Sequence, residues 1–353
     1  MALLTTFYTK FTQWYYTSMV LMNLVWKRIT VGEEYLREVT YPTPECLKDW
    51  DHRYAQLKRV KLHYVEKGPA DGKVLLMVHG FPEFWYSWRF QLEHFSKEYR
   101  CIALDMRGYN ESEKPRGVEN YNLKFLVEDI REFIEFLGVQ NVILAAHDWG
   151  GIVSWRVAML HPSHIESLII CNCPHPLAYK KVFMEDKKQR EKSWYMFMFQ
   201  SGGVPELAMR ANGYEMLESM FRGKKGGIKN RKNFTDEDLL AWKYVFSQEE
   251  ALTPPINYYR QLLDAPHISK TDSIVQPPVL IIWGTEDAFI EKQTAEDSIK
   301  FCRYARLHWI EGASHWVQQD QPDVFNRLVD AFLHDDVIVR AASDDVYTEK
   351  SKI

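Results

Sequence analysis

Continuous apolar runs recur along most of the chain. Lys73 to Val78 reads Lys-Val-Leu-Leu-Met-Val, and Arg100 to Asp105, Asn141 to Ala146, Ser167 to Cys171 and Val279 to Trp283 repeat the pattern. Such runs predict strands buried on both faces of a parallel sheet. Val60 to Val65 alternates instead, and Arg306 to Ile310 is strand-like as well. Helical periods lie between the runs. In the clearest, Leu123, Leu126, Val127, Ile130, Phe133, Ile134 and Leu137 share one face, with Glu128, Asp129, Arg131, Glu132 and Glu135 opposite. Gly138 stands where a C-cap would stop it. Strands alternating with helices predict an α/β protein with a mostly parallel, doubly wound sheet.

That rhythm fails between about Pro174 and Pro277, where only helical patterns occur. One runs from Asp236 to Phe246, with Thr235 as N-cap and Asp238 at the capping-box position. An all-helical insertion between two strands reads as a lid. The expected division is an N-terminal arm or membrane anchor (1–50), a core (51–173 and 277–340), a lid (174–276) and a polar tail (341–353) that frays.

The arm changes the picture of a plain globular enzyme. Phe7 to Trp26 is rich in aromatic and aliphatic residues and is followed at once by Lys27 and Arg28. Lys10, Gln13 and Asn23 interrupt it, so it is marginal as a spanning helix, which wants about 20 apolar residues. A membrane anchor and an amphipathic arm, packed on the body or lying in a bilayer interface, both fit. With an anchor the expected location is a membrane such as the endoplasmic reticulum; otherwise it is the cytoplasm.

The net charge of −4 over 353 residues is mixed in sign, which points away from a nucleic-acid groove. The one basic cluster comprises Arg222, Lys224, Lys225, Lys229, Arg231 and Lys232, interleaved with glycines. It reads as a solvated loop, with an anionic membrane surface as the alternative partner. Cysteines 46, 101, 171, 173 and 302 match neither a disulfide framework nor a zinc site, and all five read as buried or free thiols.

The chemistry concentrates in Ala146-His147-Asp148-Trp149-Gly150-Gly151, between a buried strand and a helix from Ile152 to Leu160. That setting is a nucleophile elbow, a strained turn that presents one side chain and demands small residues beside it. The presented residue here is Asp148, although a carboxylate capping the next helix would look the same in isolation. An ionised aspartate can attack a saturated carbon directly, giving an enzyme ester that water must then hydrolyse. A histidine is needed to activate that water. His315, after the strand-like Arg306 to Ile310, fits. Asp287, in Gly284-Thr285-Glu286-Asp287, is the orienting acid. Some proteins with an aspartate nucleophile carry this acid one strand earlier, where this chain has Asn172-Cys173-Pro174 and no carboxylate. The oxyanion donors are the N–H groups of Trp149 and of Phe81, in His79-Gly80-Phe81-Pro82-Glu83, where Pro82 suits a cis bond.

Together His-Gly-Phe-Pro, Arg107-Gly108-Tyr109 and His147-Asp148-Trp149-Gly150-Gly151 resemble epoxide hydrolases of the α/β-hydrolase fold, from about Val60 to Asp335. The likeness is strongest to the animal branch with an N-terminal membrane anchor. It implies two lid tyrosines that hydrogen-bond the epoxide oxygen, placed by their flanks at Tyr195 and Tyr259, with Tyr258 as fallback for the second. It departs at Asn110, where the family usually has glycine; asparagine tolerates positive φ better than other non-glycine residues.

The expected activity is opening of apolar epoxides, lipid epoxides among them, to vicinal diols, with water as co-substrate and no metal or organic cofactor. Trp194 and Phe199, beside Met196, Phe197 and Met198, are the expected substrate wall. Two alternatives remain at this point. One is a dehalogenase using the same aspartate. The other is a non-catalytic protein that binds a ligand in the lid groove.

Overall fold

The computed structural model describes residues 2–262, 268–269, 271–335 and 348–350. The apolar runs form strands β3 (Val74–Val78), β4 (Arg100–Leu104), β5 (Val142–His147), β6 (Ile165–Cys171) and β7 (Val279–Gly284). Each lies almost wholly out of solvent because helices cover both faces. With β1 (Asp51–Gln56), β2 (Lys61–Lys67), β8 (Ala305–Ile310) and β9 (Thr348–Lys350) they make one sheet in the order β1-β2-β4-β3-β5-β6-β7-β8-β9. Only the β1–β2 and β2–β4 pairings are antiparallel. The fold is the α/β-hydrolase fold, doubly wound and mostly parallel.

Two features differ from expectation. β1 has a single buried residue among six, so its sequence carries no apolar signal. The tail expected to fray lies largely outside the described residues, but Thr348–Lys350 pairs in parallel with Ala305–Leu307 of β8.

Between β6 and β7 the described residues form helices and no strand, including Pro176–Glu185, Lys187–Lys192, Trp194–Met198, Val204–Arg222, Asp236–Phe246 and Thr253–Gln261. The helix Asp236–Phe246 begins with the reciprocal Thr235–Asp238 capping box. These helices rest over the C-terminal ends of the strands. The Trp242 indole donates to the Pro82 carbonyl (2.8 Å), and Asp320 accepts the Lys229 and Asn230 N–H groups (2.9 and 2.8 Å).

The arm is one helix, Ala2–Val31. No helix of the described residues is long and apolar enough to cross a membrane, which corrects the spanning alternative. The helix docks instead on the helices between β6 and β7. Leu24 is buried in a small cluster with Tyr35, Ala208 and Ala211, and the Tyr16 ring lies 5.8 Å from that of Trp194. All five cysteines are free thiols, four of them buried.

Candidate active site

The turn after β5 brings the site together. Asp148 has φ 47° and ψ −118°, a backbone conformation that L residues rarely adopt and that lifts its side chain out of the sheet. Close packing makes the turn possible. A Cβ on Gly80 would lie 2.4 Å from the Asp148 Cβ, and one on Gly150 would lie 2.3 Å from the Val78 carbonyl oxygen. The Phe81 N–H donates to Asp148 Oδ1 (2.8 Å), and the Phe81–Pro82 peptide is cis. Trp149 opens the following helix, Trp149–Leu160, beside that carboxylate.

His315 follows β8. Its Nδ1 donates to Asp287 Oδ2 (2.9 Å), and its Nε2 stands 3.7 Å from Asp148 Oδ2. Burial pulls the imidazole pKa down, but the Asp287 and Asp148 carboxylates outweigh it and push the value up to about 10. Asp287 is itself fully coordinated. Oδ1 accepts the Phe289 and Ile290 N–H groups (2.8 and 3.0 Å), and Oδ2 accepts the Asn172 amide (2.7 Å) as well as His315. Burial opposes its ionisation, yet the His315 charge and these donors hold its carboxyl below the usual carboxylate range.

Tyr195 and Tyr259 line the same cavity as Phe81, Asp148 and His315, a space of about 550 Å³ that Trp194 and Phe199 also wall. Their rings meet edge to face at 5.9 Å. Burial raises both phenols well above the ordinary tyrosine value, and the Asp148 charge adds to it, so both remain proton donors at neutral pH. Tyr258 is engaged elsewhere: its hydroxyl donates to the Arg107 carbonyl (2.7 Å), and it does not line the cavity. Asn110 takes φ 41°, and its amide donates to Asp105 Oδ2 (2.7 Å), so the turn survives the missing glycine.

Three supporting residues were not singled out from the sequence. Glu83 and His147 form a fully buried pair. The ring donates from Nδ1 to Glu83 Oε2 (2.6 Å) and from Nε2 to the His315 carbonyl (2.9 Å). Glu83 also accepts the Gly80 N–H (2.8 Å), so one pair braces the loop before Phe81, the turn at Asp148 and the backbone of His315. Burial works against a charged Glu83, but His147 wins and holds its carboxyl down at about 2. Asn172, at φ 42°, clamps Asp287 to the end of β7 by accepting the Gly284 N–H (3.1 Å). The available signals were Glu83 and His147 inside the two motifs already quoted, and an asparagine where an acid was being sought.

Comparison with known proteins agrees with this geometry. Residues 73–322 match the family model described as alpha/beta hydrolase fold. Epoxide hydrolase 2 of Caenorhabditis elegans is 59% identical over 329 residues, 93% of each chain. Human epoxide hydrolase 4 is 39% identical over 90% of each chain. A crystal structure of Bacillus megaterium epoxide hydrolase with an inhibitor superposes with a TM-score of 0.72 at 31% identity, covering 80% of this chain and all of that one. The chain belongs to the epoxide hydrolases of the α/β-hydrolase fold.

Proposed function

We propose that the chain opens apolar epoxides, lipid epoxides among them, through a covalent ester on Asp148. The observation that carries this reading is the convergence of one carboxylate, one imidazole and two phenols on a single apolar cavity. With Oδ1 held by the Phe81 N–H, Oδ2 is the attacking oxygen. It bonds to one epoxide carbon as the C–O bond breaks. The departing oxygen is hydrogen-bonded by Tyr195 and Tyr259 and takes a proton from one of them. With the Asp148 charge consumed, the His315 imidazolium passes its proton to the phenolate; the neutral imidazole then removes a proton from water, and the hydroxide adds to the ester carbonyl. The oxyanion rests on the N–H groups of Phe81 and Trp149. Collapse expels the second diol oxygen, which takes the proton of the new carboxyl group, so the diol leaves with Asp148 again ionised and His315 again protonated. Asp287 holds the imidazole in the required tautomer and stabilises it when charged. A dehalogenase would leave both phenols without a task.

The same reading treats residues 51–173 and 277–340 as the catalytic core, 174–276 as its lid, and 1–50 as an arm that attaches to a membrane surface. Support for attachment comes from the outer face of the helix Ala2–Val31. Phe11, Trp14, Tyr15, Met22, Val25, Trp26 and Ile29 fall on one stripe and are exposed, Trp14 at 64% and Trp26 at 63%. Co-sedimentation with anionic vesicles tests it; equal binding by a Trp14→Ser, Trp26→Ser variant would remove this part.

The test of the chemistry is mass spectrometry of His315→Gln after exposure to a long-chain epoxide. The expected result is an adduct of intact substrate mass on the peptide carrying Asp148. No adduct, together with no diol from the wild type, would overturn the reading.

A further inference from the structure

The charges around the cavity mouth do not cancel. The floor holds Asp148, His315, Tyr195 and Tyr259, and Phe81, Met198, Phe199, Met216, Met220 and Phe289 give apolar sides. Lys188, Glu191, Lys192, Lys225 and Glu291 supply the charged part of the lining. Lys188, Glu191 and Lys225 are exposed, which puts them at the opening. Both carboxylates are already matched: Glu191 pairs with Lys187 at 3.3 Å and Glu291 with Lys192 at 3.1 Å. Lys192 is committed a second time, donating to the Asp287 carbonyl at 3.1 Å.

Lys188 and Lys225 have no carboxylate partner among the described residues. They come from different parts of the lid, Lys188 from the helix Lys187–Lys192 and Lys225 from the loop after Val204–Arg222. A further cation stands behind the second, because the Lys229 ammonium donates to the Lys224 and Lys225 carbonyls (3.0 and 3.2 Å). One member of the basic cluster seen in the sequence, Lys225, thus lines the cavity mouth while remaining exposed to solvent.

We propose that Lys188 and Lys225 are specificity-determining residues that bind the carboxylate of a long-chain epoxy acid while its chain lies in the apolar cavity. The proposal rests on the epoxide-opening reading and narrows its substrate class. An apolar interior beneath an uncompensated positive rim complements an amphiphile with one anionic end. Low-dielectric walls also concentrate the field of the rim toward an approaching anion. The lysines touch no reacting atom, so they act on capture and orientation of the substrate and not on the chemical steps.

The experiment compares a mid-chain epoxide of a long-chain fatty acid with its methyl ester, which has the same chain and epoxide but no charge. The readout is the acid-to-ester ratio of kcat/KM for wild type, Lys188→Gln, Lys225→Gln, the double variant, and Lys225→Arg. Wild type should favour the acid. Each glutamine should lower the ratio about three- to fivefold through KM for the acid, as for solvent-screened ion pairs. The double variant should lower it by about tenfold or more, and Lys225→Arg should keep most of it. In wild type alone, salt should raise KM for the acid and leave the ester unaffected. An unchanged ratio, equal losses on acid and ester, or a salt-independent KM for the acid would each overturn the proposal while leaving epoxide opening intact. If neither substrate nor a small neutral epoxide yields diol, the epoxide reading itself fails and takes this proposal with it.

Discussion

His315 Nε2 stands 3.7 Å from Asp148 Oδ2, close enough for an ion pair and too far for a hydrogen bond. With its pKa pushed up to about 10, His315 is an imidazolium at neutral pH, facing the carboxylate that attacks in the proposed mechanism. Forming the ester consumes the Asp148 charge and removes one of the two carboxylates that raise the imidazole pKa from its ordinary value to about 10. In the proposed mechanism alkylation thus lets the imidazolium pass its proton to the phenolate left by ring opening, and His315 becomes a base when one is required. In NMR titrations the free enzyme should show an imidazole near 10, and Asp148→Asn, which mimics the neutralised ester, should titrate lower. Equal values in both would break the link between the two half-reactions.

The same coupling has a stability consequence. A histidine whose folded pKa is raised stabilises the native state fully below its unfolded value, about 6.5. That contribution is lost as pH rises through the folded value of about 10. Denaturant unfolding between pH 6 and 10 should show Asp148→Asn losing less stability than wild type, because it keeps only the part of the raised pKa that Asp287 supplies. Parallel curves for the two proteins would contradict the assignment.

The two phenols should separate from their neighbour by function. Tyr195→Phe and Tyr259→Phe should each slow ester formation about 100-fold in single-turnover experiments, the usual effect of removing one donor at a developing oxyanion. Ester hydrolysis should change little in either variant. Tyr258→Phe should leave both steps nearly intact and lose about 1 kcal/mol of stability, because it gives up only the bond to Arg107. A large kinetic loss at Tyr258 would reverse the pairing.

Glu83 and His147 make a structural prediction. Glu83→Gln removes the charge but not the shape of a residue buried against His147, and breaking such a pair costs about 3–5 kcal/mol. The unfolding midpoint should fall, and kcat should fall with it, because Gly80, His147 and the His315 backbone lose a common brace. An unchanged midpoint would show that the pair is dispensable.

Which parts of this structure could be read from the sequence follows from how each residue does its work. β3 to β7 were visible because burial on both faces demands uninterrupted apolar residues. β1 was not, since an edge strand with only Ala55 buried has no reason to look apolar. Asp148 and His315, the proposed nucleophile and base, stand out through local context, each in a turn that follows a strand. Asn172 reaches Asp287, and Asp320 reaches the Lys229–Asn230 backbone, across more than 80 residues, and a single sequence holds no trace of such contacts. The arm was left open between two readings for a third reason. Its aromatic content fitted both an anchor and a docked amphipathic arm, because the residues that pack on the protein and those left in solvent occupy opposite sides of one helix.

Asn172 offers the sharpest test of how the acid position is chosen. Its amide lies 2.7 Å from Asp287 Oδ2, the same oxygen that His315 uses. Asn172→Asp would place two carboxylates together in a buried site, where both cannot ionise easily. One would take up a proton, and the imidazole would lose definition in its partner. That variant should therefore be slower than wild type despite gaining an acid. Asp287→Asn alone should be slower still, by about 1,000- to 10,000-fold, since the wrong tautomer of His315 is then favoured. Combining the two moves the single acid one strand earlier, where some proteins with an aspartate nucleophile carry it. The double variant should recover about tenfold or more over Asp287→Asn, measured as kcat on one epoxide. If it recovers nothing, the acid is tied to the strand-end geometry at Asp287, where two backbone N–H groups hold its other oxygen.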